Sequence, residues 1–352
     1  MKDSIVNELI TAMKDRLPPG QNLANFLTDT LCIGREAVYR RLRGEVAFTI
    51  DEVAQISYKL GISIDQIIGN HLHNRVTFDM NLLRSANAIE SYYEIIDRYL
   101  RIFDYVKGDK STEVCTASNV LPFTLYSSFE YLSKFRLCRW LYHHGQIKTP
   151  NSLYGMVVEE RIINVHKKLS YSVKNCPKTS FIWDMNIFVS FVKEVQYFAC
   201  LNLISKEDVL CLKEELYQLL THMEALSITG EFSEGHKVFF YLSSIDFEAT
   251  YTYIEKLDFQ ISMLRVYSIN SMDSQSPQIC KMQRDWIQAL KRHSILISES
   301  GEAQRIDFIK RQKNSPLFLY GQTMQKIHDF NTPCKRSIKP LSNMSFKNFT
   351  SS

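Results

Sequence analysis

The sequence predicts an all-α protein: a five-helix N-terminal domain followed by a larger helical domain, either an irregular bundle or a repeat-like helical stack. Three observations lead there. Glycine and proline are scarce, at 12 and 9 in 352 residues, too few for a turn-rich β-sandwich. Apolar residues recur at helical spacing over most of the chain. Residues 23–68 contain two short amphipathic segments around a three-residue turn, followed by two successive helix-start signatures.

The N-terminal elements follow in order. Residues 4–16 form an amphipathic helix with Ile5, Leu9, Ile10 and Met13 on one side, and Leu17-Pro-Pro-Gly20 breaks it. The next helix is Leu23–Leu31, then the turn Cys32-Ile-Gly34, then a helix opened by Gly34 and ended by Gly44. Leu27, Leu31 and Ile33 form a seam that Val38 and Leu42 answer at i,i+4 spacing. Arg35, Glu36, Tyr39, Arg40 and Arg43 fall on the opposite face. Thr49-Ile-Asp-Glu52 and Ser63-Ile-Asp-Gln66 both read as capping boxes, with Gly61 stopping the helix between them.

Two helices joined by a tight turn are the helix-turn-helix arrangement. The segment resembles the Cro/repressor-type, or XRE-family, helix-turn-helix regulators over about the first 70 residues. Leu27, Leu31, Ile33, Val38, Gly44, Leu60, Ser63 and Asp65 sit where that pattern wants them. Thr28 stands where the family usually has alanine, and Arg41 where an aliphatic residue is common, with Leu42 taking the core role. The resemblance implies a lambda-repressor-like DNA-binding domain whose third helix reads double-stranded DNA. Gly34, Arg35, Glu36, Tyr39, Arg40 and Arg43 are the expected DNA-binding residues: arginine forks onto guanine edges and phosphates, and tyrosine can donate to phosphate. Acidic residues slightly outnumber basic ones in residues 1–70, so the positive charge is local to Arg35, Arg40, Arg41 and Arg43. Few phosphate contacts then imply a homodimer on paired half-sites.

The domain boundaries expected are 1–70, 71–318 for a dimerisation or sensor domain, and 319–352 for a basic, disordered tail. The polar stretch 70–75 marks the first junction. His71 and His73 within it read as solvated loop residues, with no metal. Helices are expected over 78–106, 125–144, 154–170, 181–201, 206–228, 248–263, 280–293 and 301–312. Ser205-Lys-Glu-Asp208 is another helix-start signature, and 118–122, 227–235 and 271–277 are loops. Val238–Ser243 is a short strand or a buried helix turn, because periodicity alone does not separate the two. The aromatic-rich 125–144 helix, with Lys134, Arg136 and Arg139 interleaved, reads as core in preference to a single-strand nucleic-acid platform.

Several classes are excluded as expectations. There is no phosphate-cradling glycine loop, Gly-x-Ser-x-Gly or His-Glu-x-x-His, and the flanks of His166, His222 and Cys211 do not place them together. No enzyme activity, cofactor or metal is expected. The 8 cysteines contain no Cys-x-x-Cys pair and read as thiols of a reducing compartment. No apolar run approaches the roughly 20 residues of a membrane span, so the protein is expected in the cytoplasm without membrane contact. The function expected is sequence-specific DNA binding that regulates transcription, with a peptide or small-molecule effector as a further candidate partner. The alternative is a protein-interaction adaptor whose helical domain docks a peptide or partner.

Overall fold

Four helices open the chain in the computed structural model: α1 (Lys2–Arg16), α2 (Leu23–Leu31), α3 (Arg35–Leu42) and α4 (Ile50–Leu60). Each boundary has a local cause. Asn22 accepts from the amides of Ala24 and Asn25 to start α2. Thr49 and Glu52 form a reciprocal capping box at α4, and Gly61 ends that helix in the left-handed region at φ 64°. Leu9, Met13, Ala24, Leu27, Val38, Ile56 and Ile67 fill their common core.

The structure describes residues 2–314 except 18–19, 63, 65–66, 68–75, 77, 81–86, 147–151, 234 and 258. The second capping box at Ser63, most of the segment expected as the last helix of the N-terminal domain, the 70–75 junction with His71 and His73, and the 319–352 tail lie outside the described residues.

Beyond residue 78 the all-α expectation is overturned. Of the described residues, 56% are helical and 17% are strand, the strands forming a 9-stranded mixed sheet. It is neither an irregular helical bundle nor a helical stack. The strands are β1 (Asp79–Met80), β2 (Glu113–Ser118), β3 (Lys178–Asp184), β4 (Glu231–Ser233), β5 (His236–Ser243), β6 (Tyr251–Lys256), β7 (Phe259–Val266), β8 (Asn270–Ser274) and β9 (Ser294–Leu296). The helices are α5 (Ala88–Val106), α6 (Phe123–Tyr126), α7 (Glu130–His143), α8 (Glu160–Lys174), α9 (Val189–Cys200), α10 (Lys206–Thr229), α11 (Pro277–Arg292) and α12 (Glu302–Lys313). The sheet runs β1-β8-β7-β6-β2-β3-β5-β4, with β9 also on β5. β2, β3 and β5 are parallel, whereas β6 joins β2 antiparallel.

Register explains the layering. Phe181 lies beside Thr116 and Phe240, and Trp183 beside Leu242, on one face of the sheet. That face carries the main core with α5, α7, α8, α9, α10 and α12. The intervening residues, Cys115, Ala117, Ile182 and Tyr253, point the other way and are covered by Cys280, Ile287 and Leu290 of α11. Strands buried on both faces read as continuous apolar runs and carry no alternation. This is why 181–201, expected as one helix, is β3 followed by α9. The 248–263 helix is instead the hairpin β6–β7, and the 271–277 loop is mostly β8. In the 227–235 loop, residues 227–229 end α10 and 231–233 are β4. Within the 78–106 helix, β1 precedes α5. Val238–Ser243 is strand.

The Ser205–Asp208 signature forms as read. Ser205 accepts from the Asp208 amide at 3.0 Å, and the Asp208 carboxylate accepts from the Ser205 amide at 2.9 Å. The same carboxylate, almost fully buried, accepts from the amides of Leu153 and Tyr154 and from Ser152 Oγ. It therefore ties the 152–154 turn to the start of α10. We expect Asp208→Ala to destabilise the chain by about 2–4 kcal/mol, since several charge-assisted hydrogen bonds lose their acceptor at once. Urea unfolding followed by tryptophan fluorescence measures this, because Trp140 and Trp183 are buried in that core. A cost under about 0.5 kcal/mol would show that the turn does not depend on this carboxylate.

Candidate nucleic-acid interface

The six residues expected at the interface lie on or beside α3. Gly34 is its N-cap, in extended conformation, with no side-chain cap over the helix start. An added Cβ at Gly34 would meet nothing within 4 Å, so packing does not require the glycine. It leaves the positive end of α3 open to an anion. Arg35, Glu36, Tyr39, Arg40 and Arg43 are all exposed, whereas Val38 is fully buried and Ala37, Arg41 and Leu42 turn inward. The structure thus brings the expected residues onto one face.

The turn before α3 contains Cys32 at φ 53°, a left-handed position more often filled by glycine. The two departures from the expected pattern each have a local explanation. Thr28 returns its hydroxyl to the Ala24 carbonyl at 2.8 Å, so it adds no unpaired polar group to the helix crossing. Arg41 forms a two-pronged pair with Glu52, Nε to Oε2 at 3.0 Å and Nη2 to Oε1 at 2.8 Å. Its Nη1 also donates to the Ala37 carbonyl. Arg41 is therefore a clamp between α3 and the cap of α4. The expected local cluster of four cations is reduced to three on the outward face.

Those three are not free. Arg35 donates to Asn25 Oδ1 at 2.6 Å. Arg43 pairs with Glu45 at 2.6 Å and with Glu36 at 3.3 Å, and Arg40 reaches Glu45 at 3.6 Å. The hydrogen bond from Arg43 holds the Glu45 carboxyl below its ordinary range. Glu45 was not among the residues expected here. Its spacing from Arg40 and Arg43, just past the Gly44 turn, was the available signal. Such exposed pairs are weak and open easily to a competing anion.

The histidines and cysteine read separately stay separate: no hydrogen bond or ion pair among the described residues joins His166, His222 and Cys211. His166 is buried against Tyr92, and burial followed by the charge of Arg136 lowers its pKa to about 3. Of the aromatic-rich segment expected over 125–144, Phe135 and Trp140 are core residues. Among the described residues, no helix is long and apolar enough to cross a membrane. No protein-family model, curated protein or solved structure matches the chain.

Burial alone would raise the Glu52 carboxyl. The hydrogen bonds from Arg41 and the Thr49 amide outweigh it and hold the group below 4.5. A folded-state pKa below the unfolded one gives stability that is present above the unfolded pKa and lost as pH falls through the folded value. Arg41→Met should therefore lower the opening free energy of α3 and α4 by about 1–3 kcal/mol at pH 7, and by clearly less near pH 3. Hydrogen exchange of these helices in the full chain provides the measurement. An equal cost at both pH values would show that the pair does not carry the contact.

Proposed function

We propose that this chain is a sequence-specific DNA-binding regulator of transcription, in which α3 enters the major groove. The supporting observation is the single outward face formed by Arg35, Glu36, Tyr39, Arg40 and Arg43 at an uncapped helix start. It belongs to the second helix of a helix-turn-helix pair, which is the arrangement resembling XRE-family regulators. Arginine forks suit guanine edges, Tyr39 and the open amides of α3 suit phosphates, and Arg41 orients the helix from behind. Because each reader carries few cations, two copies on half-sites about one helical turn apart are required for useful affinity. The region beyond residue 78 is the proposed place for their pairing. No bond is made or broken in this role.

The test uses full-length protein and duplexes recovered by selection from a random pool, with binding followed by fluorescence anisotropy. Preference for the selected site over random duplex should be strong and salt-sensitive. Replacing Arg40 and Arg43 together by alanine should weaken binding about tenfold or more and flatten the salt dependence by one to two contacts, at about 0.9 in log–log slope each. Glu45→Gln should act in the opposite direction, tightening selected and random duplexes alike by about two- to fivefold, because it releases Arg40 and leaves Arg43 only its longer contact with Glu36. Unchanged binding by the double variant would remove α3 as the reader. Equal binding to all duplexes, with no selected site, is the behaviour of an adaptor.

A further inference from the structure

The arginines of this protein are held in two ways. Arg41 is clamped by Glu52 and Arg98 by Asp273, and Arg139 is held by Glu194 through two contacts of 2.6 Å. Among the described residues, neither Arg136 nor Arg265 has such a carboxylate partner. Arg136, on α7, is more than nine-tenths buried. Its guanidinium lies over the Phe123 ring, 4.3 Å from the centroid, and Nη1 donates to Tyr126 Oη at 2.9 Å. Its Nε is sealed from solvent and meets no acceptor. Arg265, on β7, is partly buried, and its side chain has no hydrogen-bond or ion-pair partner among the described residues. The two guanidinium groups repel: burial and then the charge of Arg136 lower the Arg265 pKa.

Both line one cavity of about 270 Å³. It lies off the C-terminal end of β2, where the sheet changes from parallel to antiparallel. Asn119 and Thr250 supply neutral polar groups, and Ser190 and Phe191 bring the first turn of α9, which has no side-chain cap. The mouth carries Glu248, Tyr267 and Ser268, all exposed. Glu194 is also in the wall, but both its oxygens are engaged by Arg139. Arg136, Thr250 and Arg265 border a second hollow of about 60 Å³.

A cationic group taken out of water without an anion costs several kcal/mol, and two facing one space cost more. Elsewhere the same chain gives its partly buried arginines a carboxylate, as at Arg41, Arg98 and Arg139. The arrangement is that of a preformed site awaiting its counter-charge. We propose that this cavity binds a small phosphate monoester, its phosphoryl group bridging the guanidinium forks of Arg136 and Arg265. Two unpaired cations match the roughly −1.5 to −2 charge of such a group at neutral pH. Its three terminal oxygens can accept from both forks at once, where one carboxylate offers two. The volume sits just below the roughly 300–1,000 Å³ typical of small-molecule sites, which limits the organic part to a few carbons. Leu121 and Phe191 give that part an apolar wall.

The test is thermal unfolding of the full chain, without DNA, in glycerol 3-phosphate, inorganic phosphate or succinate at fixed ionic strength. Glycerol 3-phosphate should raise Tm progressively with concentration, and inorganic phosphate should do so more weakly. The Arg40→Ala, Arg43→Ala double variant should respond as the wild type does, which separates this site from α3. Arg265→Met should lose at least tenfold in apparent affinity, while its Tm without ligand equals or exceeds that of the wild type, since a repulsion is removed. Arg136→Met should also lose the response. If it does not fold, Arg265→Met and Arg265→Lys carry the test, the latter keeping charge without the fork. No phosphate-dependent shift in the wild type, or an undiminished shift in Arg265→Met, overturns the proposal. An equal response to succinate overturns the phosphate assignment. None of these outcomes depends on whether α3 reads DNA.

Discussion

Three parallel strands with no wet face set the terms for the rest of this protein beyond residue 78. β2, β3 and β5 place Phe181, Trp183 and Phe240 on one side and Cys115, Ala117 and Ile182 on the other. Each side has to be covered, so helices lie on both. Parallel neighbours cannot be joined by a tight turn and need a crossover. The crossover from β2 to β3 contains α6, α7 and α8, and that from β3 to β5 contains α9 and α10. These obligatory connections deliver Arg136, Ser190 and Phe191 to the end of β2. The cavity is thus a by-product of how the sheet must be threaded, furnished afterwards with charge.

The N-terminal helices were legible because their ends are written in local chemistry. Thr49 and Glu52, Gly44 and Gly61 all act on backbone groups within a few residues of themselves. The sheet was illegible for two physical reasons. Strands without a polar face lose the two-residue alternation, and β3 runs after only a short turn into the equally apolar α9. The hairpins also lack their usual markers. Leu257 at φ 48°, and Tyr267 and Ser268 at φ 44° and 70°, occupy left-handed positions where glycine or asparagine would have announced a turn. The face of α3 could be read from helical spacing, but the carboxylates that neutralise it could be placed only once the chain had turned at Gly44.

Buried charge is handled differently at the two candidate sites. In the α3–α4 pair, Arg41 and Glu52 satisfy one another and fix an angle between helices. The cost of desolvating each is offset within the protein. Around β2 no carboxylate pairs with Arg136 or Arg265 among the described residues, and burial together with the charge of Arg136 lowers the Arg265 pKa; in the proposed role an anion from outside supplies the offset. One arrangement gives rigidity and the other gives receptivity. His166 fits the same picture: it stays neutral beside Arg136, adding a ring to the core without adding to the repulsion.

The carboxylates on the outward face of α3 bear, in the proposed role, on search as well as on affinity. In the proposed role, a regulator meets on the order of 10⁶–10⁹ irrelevant sites for each correct one. A bare cluster of arginines would adhere to nearly all of them through phosphate attraction alone. With Glu36 and Glu45 occupying Arg43 and Arg40 in the free protein, each chance encounter has to displace an internal partner before gaining a contact. That toll is the same everywhere on the duplex, whereas base-edge contacts recover it only at the right sequence. The face would therefore dwell briefly on most of the genome, leaving more copies free to keep sampling.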